Sequence, residues 1–493
     1  MLLKKNGVLL LVLAVCAAVV LGAGTVFAEQ SETVVFEVTA DTPVVQTGEA
    51  RKVVVRALVR PYTRRETVRA PLAVALVLDK SGSMASDGKM DNAKRGALEA
   101  LKMLDSRDVA TIIVYDDNAS VLVRARSVGN GAKEPAFLRA ISRVRSGGMT
   151  ALHDGVVLGA EQLEPFIDEG FIPRIVLLSD GIANVGPSST EELARLGRGL
   201  ARREMTITTI GLGLDYHEDL MTALAAESGG NAYFARNARM LPEIFTRDME
   251  DAVTLTARRV RISLRALGGA RPARVIGRPG NLTGDLLEAS IDNLYSGEKY
   301  ALFEMELPEG EEGAQLEAAE VVLEYIDPVT GDTVRKSAPL TFSFTADGAE
   351  VEKRQRTDIV SQAALARNAE IREEAVRLAD EGKAQEAAQM LGDRTKQLRM
   401  LAPSVGTAAP QMDKESEYFE DLAESLLSTG GLSNVERKEV LNDAYMQKTQ
   451  QAPVEVVSGD LPGDKPEDTP EDEAEEEEKE KEKEKEGEGN ASK

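Results

Sequence analysis

A carboxylate and two hydroxyls follow directly after an apolar run early in the chain. Asp79, Ser81 and Ser83 come after residues 72–78, and Gly82 permits a tight backbone turn between the two serines. If this run is a central strand, its carboxyl end is where the ligand sites of open α/β sheets lie. Oxygen donors of this kind suit Mg²⁺, and no nitrogen or sulfur ligand is required. The residues therefore predict a cation site at this strand end.

Two further loops carry oxygen donors at comparable positions. Residues 147–150, which end in a threonine, precede a helical pattern, and residues 179–181 follow the apolar run 175–178. We expect all three loops to converge on one edge of a sheet. The alternative is that Ser81 and Ser83 are only turn and N-cap residues, for which serine is favoured. That account does not predict the other two loops.

The elements that must position these loops are visible as a repeated pattern between residues 71 and 252. Short apolar runs occur at residues 72–78, 109–115, 175–178 and 205–210. Helical patterns lie between and after them, at residues 90–104, 152–163, 190–203 and 218–227. Apolar strands that alternate with helices predict a mainly parallel sheet covered on both faces.

Residues 79–84, 148–150 and 178–181, in that order, resemble a von Willebrand factor A domain with an intact metal-ion-dependent adhesion site. The resemblance covers residues 71–252 and implies a Rossmann-like fold. It extends to the segments 211–215 and 228–230, which look like the late strand and penultimate loop of that family. Met149 departs from the pattern, because many relatives join the glycines directly to the threonine.

The resemblance implies a set of metal-binding residues, namely Asp79, Ser81, Ser83, Thr150 and Asp180. The serines and the threonine would bind through their hydroxyls, and the two aspartates would bind directly or through water. The implied ion is Mg²⁺, with Mn²⁺ or Ca²⁺ as alternatives, and an Asp or Glu of a partner protein would complete its coordination. We expect Asp79→Ala and Thr150→Ala each to abolish metal binding with the fold intact, because the site would lie on surface loops outside the core.

The implied function is that of a metal-dependent protein-binding or adhesion module, and not of an enzyme. His153 and His217 are better explained as helix-start packing and as a surface or capping residue, because no nucleophile elbow or His pair accompanies them. The glycines of residues 277–284 lack the lysine of a phosphate loop. A metal-dependent hydrolase and a structural protein of envelope assembly remain as alternatives.

The regions on both sides of residues 71–252 carry β and helical patterns. Residues 34–38 and 52–59 alternate with period two, as half-buried strands do, and alternation returns over residues 258–345. Because two strands alone are marginal in water, we expect them to pair with the later segment in a β-sandwich interrupted by the inserted domain. Residues 359–401 predict a helical hairpin broken near 381–383, followed by helices at 414–427 and 435–446.

The predicted organisation is a multidomain chain of α/β, β and α parts. It comprises a signal peptide or N-terminal anchor at 1–28, first sandwich strands at 29–70, the inserted domain at 71–252, the rest of the sandwich at 253–350, a helical region at 355–450 and a disordered acidic tail at 455–493. Of the 493 residues, 42% are apolar and 29% are charged, which is typical of folded domains.

The ends of the chain and its charge limit location and partners. Lys4 and Lys5 precede an uncharged run that ends at Ala28, which is typical of an export signal or, uncleaved, of a membrane anchor. We therefore expect a periplasmic, secreted or outer-face-anchored protein that contacts a membrane only through this segment. Cleavage would remove Cys16, the only cysteine.

Charge also excludes one class of partner. The net charge of −24 makes nucleic acid an improbable partner, since its phosphates would be repelled. Part of the excess lies in residues 460–493, which hold 16 acidic and 6 basic side chains and too few apolar ones to fold.

Overall fold

A computed structural model of the chain describes residues 33–62, 69–129 and 134–451. These residues belong to one compact unit. The predictions for residues 1–28 and 455–493 lie outside the described residues. Within the described ranges, no helix combines the length and the hydropathy that crossing a membrane requires.

The strands are β1 (Val34–Ala40), β2 (Val44–Gln46), β3 (Arg51–Pro61), β4 (Leu72–Asp79), β5 (Val109–Tyr115), β6 (Ala119–Ser127), β7 (Ile172–Ser179), β8 (Thr206–Leu212), β9 (Ala232–Ala235), β10 (Ala257–Ala266), β11 (Arg271–Ile276), β12 (Gly280–Thr283), β13 (Leu286–Leu294), β14 (Lys299–Leu307), β15 (Gln315–Ile326) and β16 (Thr333–Thr345). The α-helices are α1 (Lys89–Lys102), α2 (Pro135–Ser142), α3 (Leu152–Ile167), α4 (Thr190–Arg202), α5 (Glu218–Ser228), α6 (Leu241–Val253), α7 (Gly348–Arg354), α8 (Thr357–Asp380), α9 (Ala384–Leu401), α10 (Ala409–Thr429) and α11 (Asn434–Thr449).

The inserted domain, from β4 to α6, is built on a six-stranded sheet in the order β6-β5-β4-β7-β8-β9. Its neighbouring strands run parallel except for the antiparallel pair of β5 and β6. Every residue of β4 is buried, as expected for a central strand covered on both faces. On one face Ala73, Ala75 and Val77 pack in a core shared with α3, α4 and α5. The parallel strands therefore end together at one edge, the carboxyl edge of the sheet.

The β-sandwich takes strands from both sides of the inserted domain. One sheet has the order β1-β3-β14-β11 and the other the order β12-β13-β10-β15-β16-β2. β3 pairs with β14, with Ala57 opposite Ala301, and β2 pairs with β16, with Val45 opposite Phe344. The prediction of a domain inserted in a β-sandwich is thus confirmed.

Strand β3 differs from its prediction as a half-buried strand. Its residues from Val53 to Val59 are all buried. Val55 and its alternate neighbours face the core between the two sheets, whereas Val54 packs with Ile359 of α8. Arg56 points the same way, with Nη1 2.9 Å from Asp358 Oδ2. Helix α8 covers the outer face of the sheet, and sequence periodicity could not reveal this distant cover.

The C-terminal helices form a third core and return to the inserted domain. Helices α8 and α9 are separated near residues 381–383, as predicted, and their apolar residues pack with those of α10. In α11, the hydroxyl of Tyr445 donates to Gly230 O at 3.0 Å. Just beyond it, Gln450 bonds both the backbone N and O of Tyr300, at 2.8 and 2.9 Å. Helix α11 therefore ties the helical region to both the inserted domain and the sandwich.

Candidate metal-ion site

Asp79, the last residue of β4, lies at the carboxyl edge with no exposed surface. Its Oδ1 accepts from the backbone N of Ser81 at 2.8 Å, and its Oδ2 accepts from Ser179 Oγ at 2.9 Å. Ser179 ends the neighbouring strand β7. The carboxylate therefore joins two adjacent strand ends and fixes the turn that carries the serines.

The two serines meet the second carboxylate. Ser81 Oγ and Ser83 Oγ are 3.0 Å apart. Ser83 Oγ donates to Asp180 Oδ1 at 2.7 Å, and Ser81 Oγ donates to the same oxygen at 3.4 Å. Asp180 and Ser81 are buried, whereas Ser83 is exposed. The cluster of oxygen atoms therefore opens to solvent beside Ser83.

Thr150 comes from the loop before α3 and is also buried. Its backbone N donates to Asn184 Oδ1 at 2.9 Å, and the backbone N of Asn184 donates to Thr150 O at 3.2 Å. A Cβ added to Gly181 would lie 3.6 Å from Ser83 Oγ and 3.7 Å from Thr150 Oγ1. The hydroxyl of Thr150 therefore faces the same small space as the serine and aspartate oxygens.

A glycine is required where the loop that carries Thr150 passes close to Asp116, which follows β5. Gly148 has φ of +85°, and a Cβ there would lie 2.9 Å from the Cβ of Asp116. Its backbone O accepts from the backbone N of Gly82 at 3.0 Å. Asp116 also forms an ion pair with Lys80. Because Gly148 has no side chain, the loop can pass close to Asp116 without displacing it. This close approach brings Thr150 next to the serine turn.

Two buried carboxylates so near each other carry an electrostatic cost. The pKa of Asp79 is raised to about 6, mainly by burial and also by the charge of Asp180, while hydrogen bonds from Ser81 and Ser179 oppose the rise. Asp180 has a counter-charge in Lys89, the first residue of α1, whose Nζ lies 2.9 Å from Asp180 Oδ2. The cluster thus holds two carboxylates and one ammonium group, which pairs with Asp180, and it retains a negative charge.

The donor set fits a hard divalent cation. Two carboxylates would balance its charge, and three hydroxyls are the neutral oxygen donors that Mg²⁺ accepts. Among the described residues there is no group of three or more His, Cys, Asp or Glu able to hold a metal. That finding agrees with the cluster, because hydroxyls supply its remaining donors.

The structure brings together all five residues that the sequence singled out: Asp79, Ser81, Ser83, Thr150 and Asp180. Their role as ligands stays a prediction. The expectation that they lie on surface loops outside the core is wrong for four of them, which are at most 3% exposed. They are buried because the strand ends and three loops pack over one another.

The histidines lie apart from the hydrogen bonds of this cluster. His217 is the N-cap of α5, where its ring accepts from the backbone N of Leu220, so the capping interpretation is confirmed. His153 is the second residue of α3, is half-buried, and has Nδ1 3.2 Å from Asp154 Oδ1.

Sequence reasoning missed three polar residues that support the cluster: Lys89, Asp116 and Asn184. It placed Ser179 in the third loop but gave it no role beside Asp79. Asp116 carried a usable signal, because it follows an apolar run as Asp79 and Asp180 do. Lys89 and Asn184 offered no signal in the sequence, because they meet their partners only when the loops fold over the carboxyl edge.

Comparisons with known proteins agree with this fold. Residues 73–247 match the family model for the von Willebrand factor type A domain. The uncharacterized protein sll0103 of Synechocystis is 27% identical over 309 residues, which are 60% of this chain and 71% of that protein. Inter-alpha-trypsin inhibitor heavy chain H3 of Rattus norvegicus is 28% identical over 171 residues, 33% of this chain but only 19% of its own length.

Two solved structures show that the likeness extends beyond the inserted domain. The von Willebrand factor type A protein from Catenulispora acidiphila has a TM-score of 0.64 at 18% identity and covers 84% of this chain and 98% of its own. The ArnB paralog VWA2 from Sulfolobus acidocaldarius has a TM-score of 0.53 at 19% identity, with 84% and 99% covered. At these identities the likeness establishes the fold alone.

Proposed function

Because residues 73–247 of this chain form a von Willebrand factor type A domain, we propose that the chain is an exported, metal-dependent protein-binding module. Domains of this family are protein-interaction modules that usually bind a divalent metal. The ligands here are Asp79, Ser81, Ser83, Thr150 and Asp180, and the ion is Mg²⁺, with Mn²⁺ or Ca²⁺ as alternatives. The partner supplies the carboxylate of an Asp or Glu.

The observation that carries the proposal is the cluster of five oxygen-bearing side chains that opens to solvent at Ser83. A bound cation supplies a positive centre that attracts a partner's carboxylate. Asp79, Asp180 and the three hydroxyls supply fewer donors than the six that Mg²⁺ takes, so one coordination position remains for the partner's carboxylate. The residues of this chain hold and orient the ion, and the partner approaches from the exposed side.

The proposal assigns binding and not catalysis to this site. Neither histidine of the chain hydrogen-bonds to the cluster, and each has another partner at a helix start. Export is supported by the basic start and uncharged run of residues 4–28. N-terminal sequencing of the protein recovered from the cell envelope decides whether that segment is removed.

Removal of the metal tests the proposed function. We expect the full chain to retain specific envelope proteins in Mg²⁺ and to release them in EDTA, because the partner's carboxylate binds only through the ion. A Thr150→Ala column is the matched control and should retain none of them in Mg²⁺. If the same proteins stay bound in EDTA and on the Thr150→Ala column, binding does not use this site.

Lys89 should compete with the metal for Asp180. The side chain of Lys89 is 12% exposed, and Asp180 is fully buried, so their attraction is weakly screened. We expect Lys89→Gln to tighten Mg²⁺ binding by about tenfold or more, since one charge at this range exceeds 1.4 kcal/mol at an effective dielectric constant of about 20. Titration calorimetry measures the Mg²⁺ affinity of Lys89→Gln and of the unaltered chain.

The control for this change lies on the same helix. Lys94 is similarly covered and lies 3.9 Å from Asp91, so Lys94→Gln removes the same charge away from the site and should leave the Mg²⁺ affinity nearly unchanged. Weaker binding by Lys89→Gln would mean that the lysine holds Asp180 in place for the metal and does not compete with it.

A further inference from the structure

Large apolar side chains are exposed beside the oxygen cluster. Ile182 is 59% exposed and Met149 is 45% exposed. Ile182 directly follows Gly181, and Met149 directly precedes Thr150. Single exposed apolar residues are ordinary on protein surfaces, whereas two of them directly beside a cluster of oxygen donors form a combined polar and apolar surface.

Both residues belong to loops that adjoin the cluster and are joined by hydrogen bonds. The backbone of Met149 donates to Asp117 Oδ1 at 3.0 Å. The following residue, Thr150, is joined to Asn184 by two hydrogen bonds, which clamp this loop to the one that carries Ile182. The two apolar residues therefore lie on loops that meet over the oxygen donors and cannot drift apart independently.

A third apolar residue is exposed at the same edge of the sheet. Leu214 is 40% exposed and follows β8, whose Gly211 pairs with Ser179 of β7. Of ten large apolar residues exposed among the described residues, three thus lie in loops at the carboxyl edge of the inserted domain. The others are spread over edge strands, a turn, helix α2, the helical region and the residue that follows β3.

We propose that the partner's acidic residue is flanked by apolar side chains, which pack on Met149 and Ile182 when the carboxylate reaches the ion. This inference rests on the proposed function and adds the partner's chemistry to it. The ion would bind the carboxylate of the partner, and the side chains of Met149 and Ile182 would bind the apolar residues next to that carboxylate. Covering them excludes water from the ion and its ligand, which strengthens that contact.

Short synthetic peptides test the proposal on the full chain in Mg²⁺. Three immobilised peptides of equal length are used, with a central aspartate between two leucines, an aspartate between two serines, and an asparagine between two leucines. We expect the leucine-flanked aspartate to bind at least about tenfold more tightly than the serine-flanked one, since burying one leucine side chain is worth about that factor. The asparagine peptide should not bind.

A double variant and a control variant test whether Met149 and Ile182 cause the preference for flanking leucines. Met149→Ser with Ile182→Ser should remove the preference for flanking leucines while Mg²⁺ affinity stays within twofold of the unaltered protein. Met400→Ser, which changes a residue 74% exposed in α9, should keep the preference.

The outcomes separate this inference from the proposed function. Equal, Mg²⁺-dependent binding of both aspartate peptides overturns the apolar contact and leaves metal-dependent binding standing. Equal binding of the aspartate and asparagine peptides in EDTA overturns the proposed function. Absence of binding by all three peptides at millimolar concentration overturns both.

Discussion

We expect Thr150→Ala to weaken Mg²⁺ binding by about 100-fold or more, because residues that only support a metal ligand already cost about 10–100-fold when they are changed. The hydroxyl of Thr150 shares its space with Ser83 Oγ beside Gly181. Its backbone bonds to Asn184 do not depend on the side chain, so the loop should keep its position. Titration calorimetry with Mg²⁺ and with Mn²⁺ gives the affinities.

Thr150→Ser is the matched control, since it keeps the hydroxyl and removes only a methyl group. It should bind Mg²⁺ within a few-fold of the unaltered chain. Equal affinities of the alanine, serine and unaltered proteins would remove Thr150 from the ligand set.

Asp79→Asn should also abolish Mg²⁺ binding, because it removes one of two carboxylates with little change in shape. The structure changes the expectation for Asp79→Ala. That variant would leave the backbone N–H of Ser81 and the hydroxyl of Ser179 without their acceptor, at about 1–3 kcal/mol each when buried. Asparagine retains an acceptor, so circular dichroism and the melting temperature should show a folded protein that does not bind the ion.

The second large effect is expected far from the metal site, at a buried ion pair. Arg174 at the start of β7 and Asp248 of α6 are 4% and 0% exposed. Arg174 Nε lies 3.0 Å from Asp248 Oδ2, and Arg174 Nη1 donates to the hydroxyl of Tyr295 at 3.1 Å. Burial lowers the pKa of Arg174, but Asp248 and Tyr295 more than offset this and hold it above its ordinary value.

Asp248→Asn should destabilise the chain by about 3–5 kcal/mol, because Arg174 would remain buried without its counter-charge. A domain of this size should then melt about 10 °C lower. Glu250→Gln removes a charge from the exposed face of the same helix and should leave the melting temperature nearly unchanged. Differential scanning calorimetry follows each transition.

A double variant separates the charge from the packing. Replacing both partners, as in Arg174→Met with Asp248→Leu, should recover much of the stability, since apolar groups can replace a buried pair at little cost. A loss equal to that of Asp248→Asn would show that the hydrogen bonds to Tyr295 and Thr208 carry the stability.

This ion pair also lies where the inserted domain meets the sandwich. Tyr295 follows β13 of the sandwich, whereas Arg174 and Asp248 belong to the sheet and the last helix of the inserted domain. The guanidinium of Arg174 also lies over the ring of Tyr295, with Cζ 5.6 Å from the ring centre. Through Arg174, Tyr295 of the sandwich is therefore connected to Asp248 of α6.

Much of the site was accessible from the sequence because it follows from local rules. The apolar runs that become β4 and β7 end in Asp79 and just before Asp180, and parallel strands covered by helices must end at a common edge. Glycines and serines in the intervening turns are favoured by local backbone geometry. These signals needed only neighbours in sequence, so the five oxygen-bearing residues and the α/β fold were predictable.

Weakly patterned elements escaped prediction for the opposite reason. Strand β6 lies at the edge of the sheet, with only Val123 buried among its nine residues, and β9 has only four residues. Neither offers enough periodicity to distinguish a strand from a loop. The sheet supplies the hydrogen bonds that make them strands.

Tertiary structure alone decided the burial and the electrostatics. Val54 and Arg56 are buried because a helix some 300 residues later covers their side of the sheet. Lys89 faces Asp180 because α1 starts over the carboxyl edge. Arg174 meets Asp248 because α6, the last helix of the inserted domain, packs against the opposite end of β7. The energy of a charge depends on which distant groups exclude water from it and which neutralise it, and no local pattern in the sequence records that.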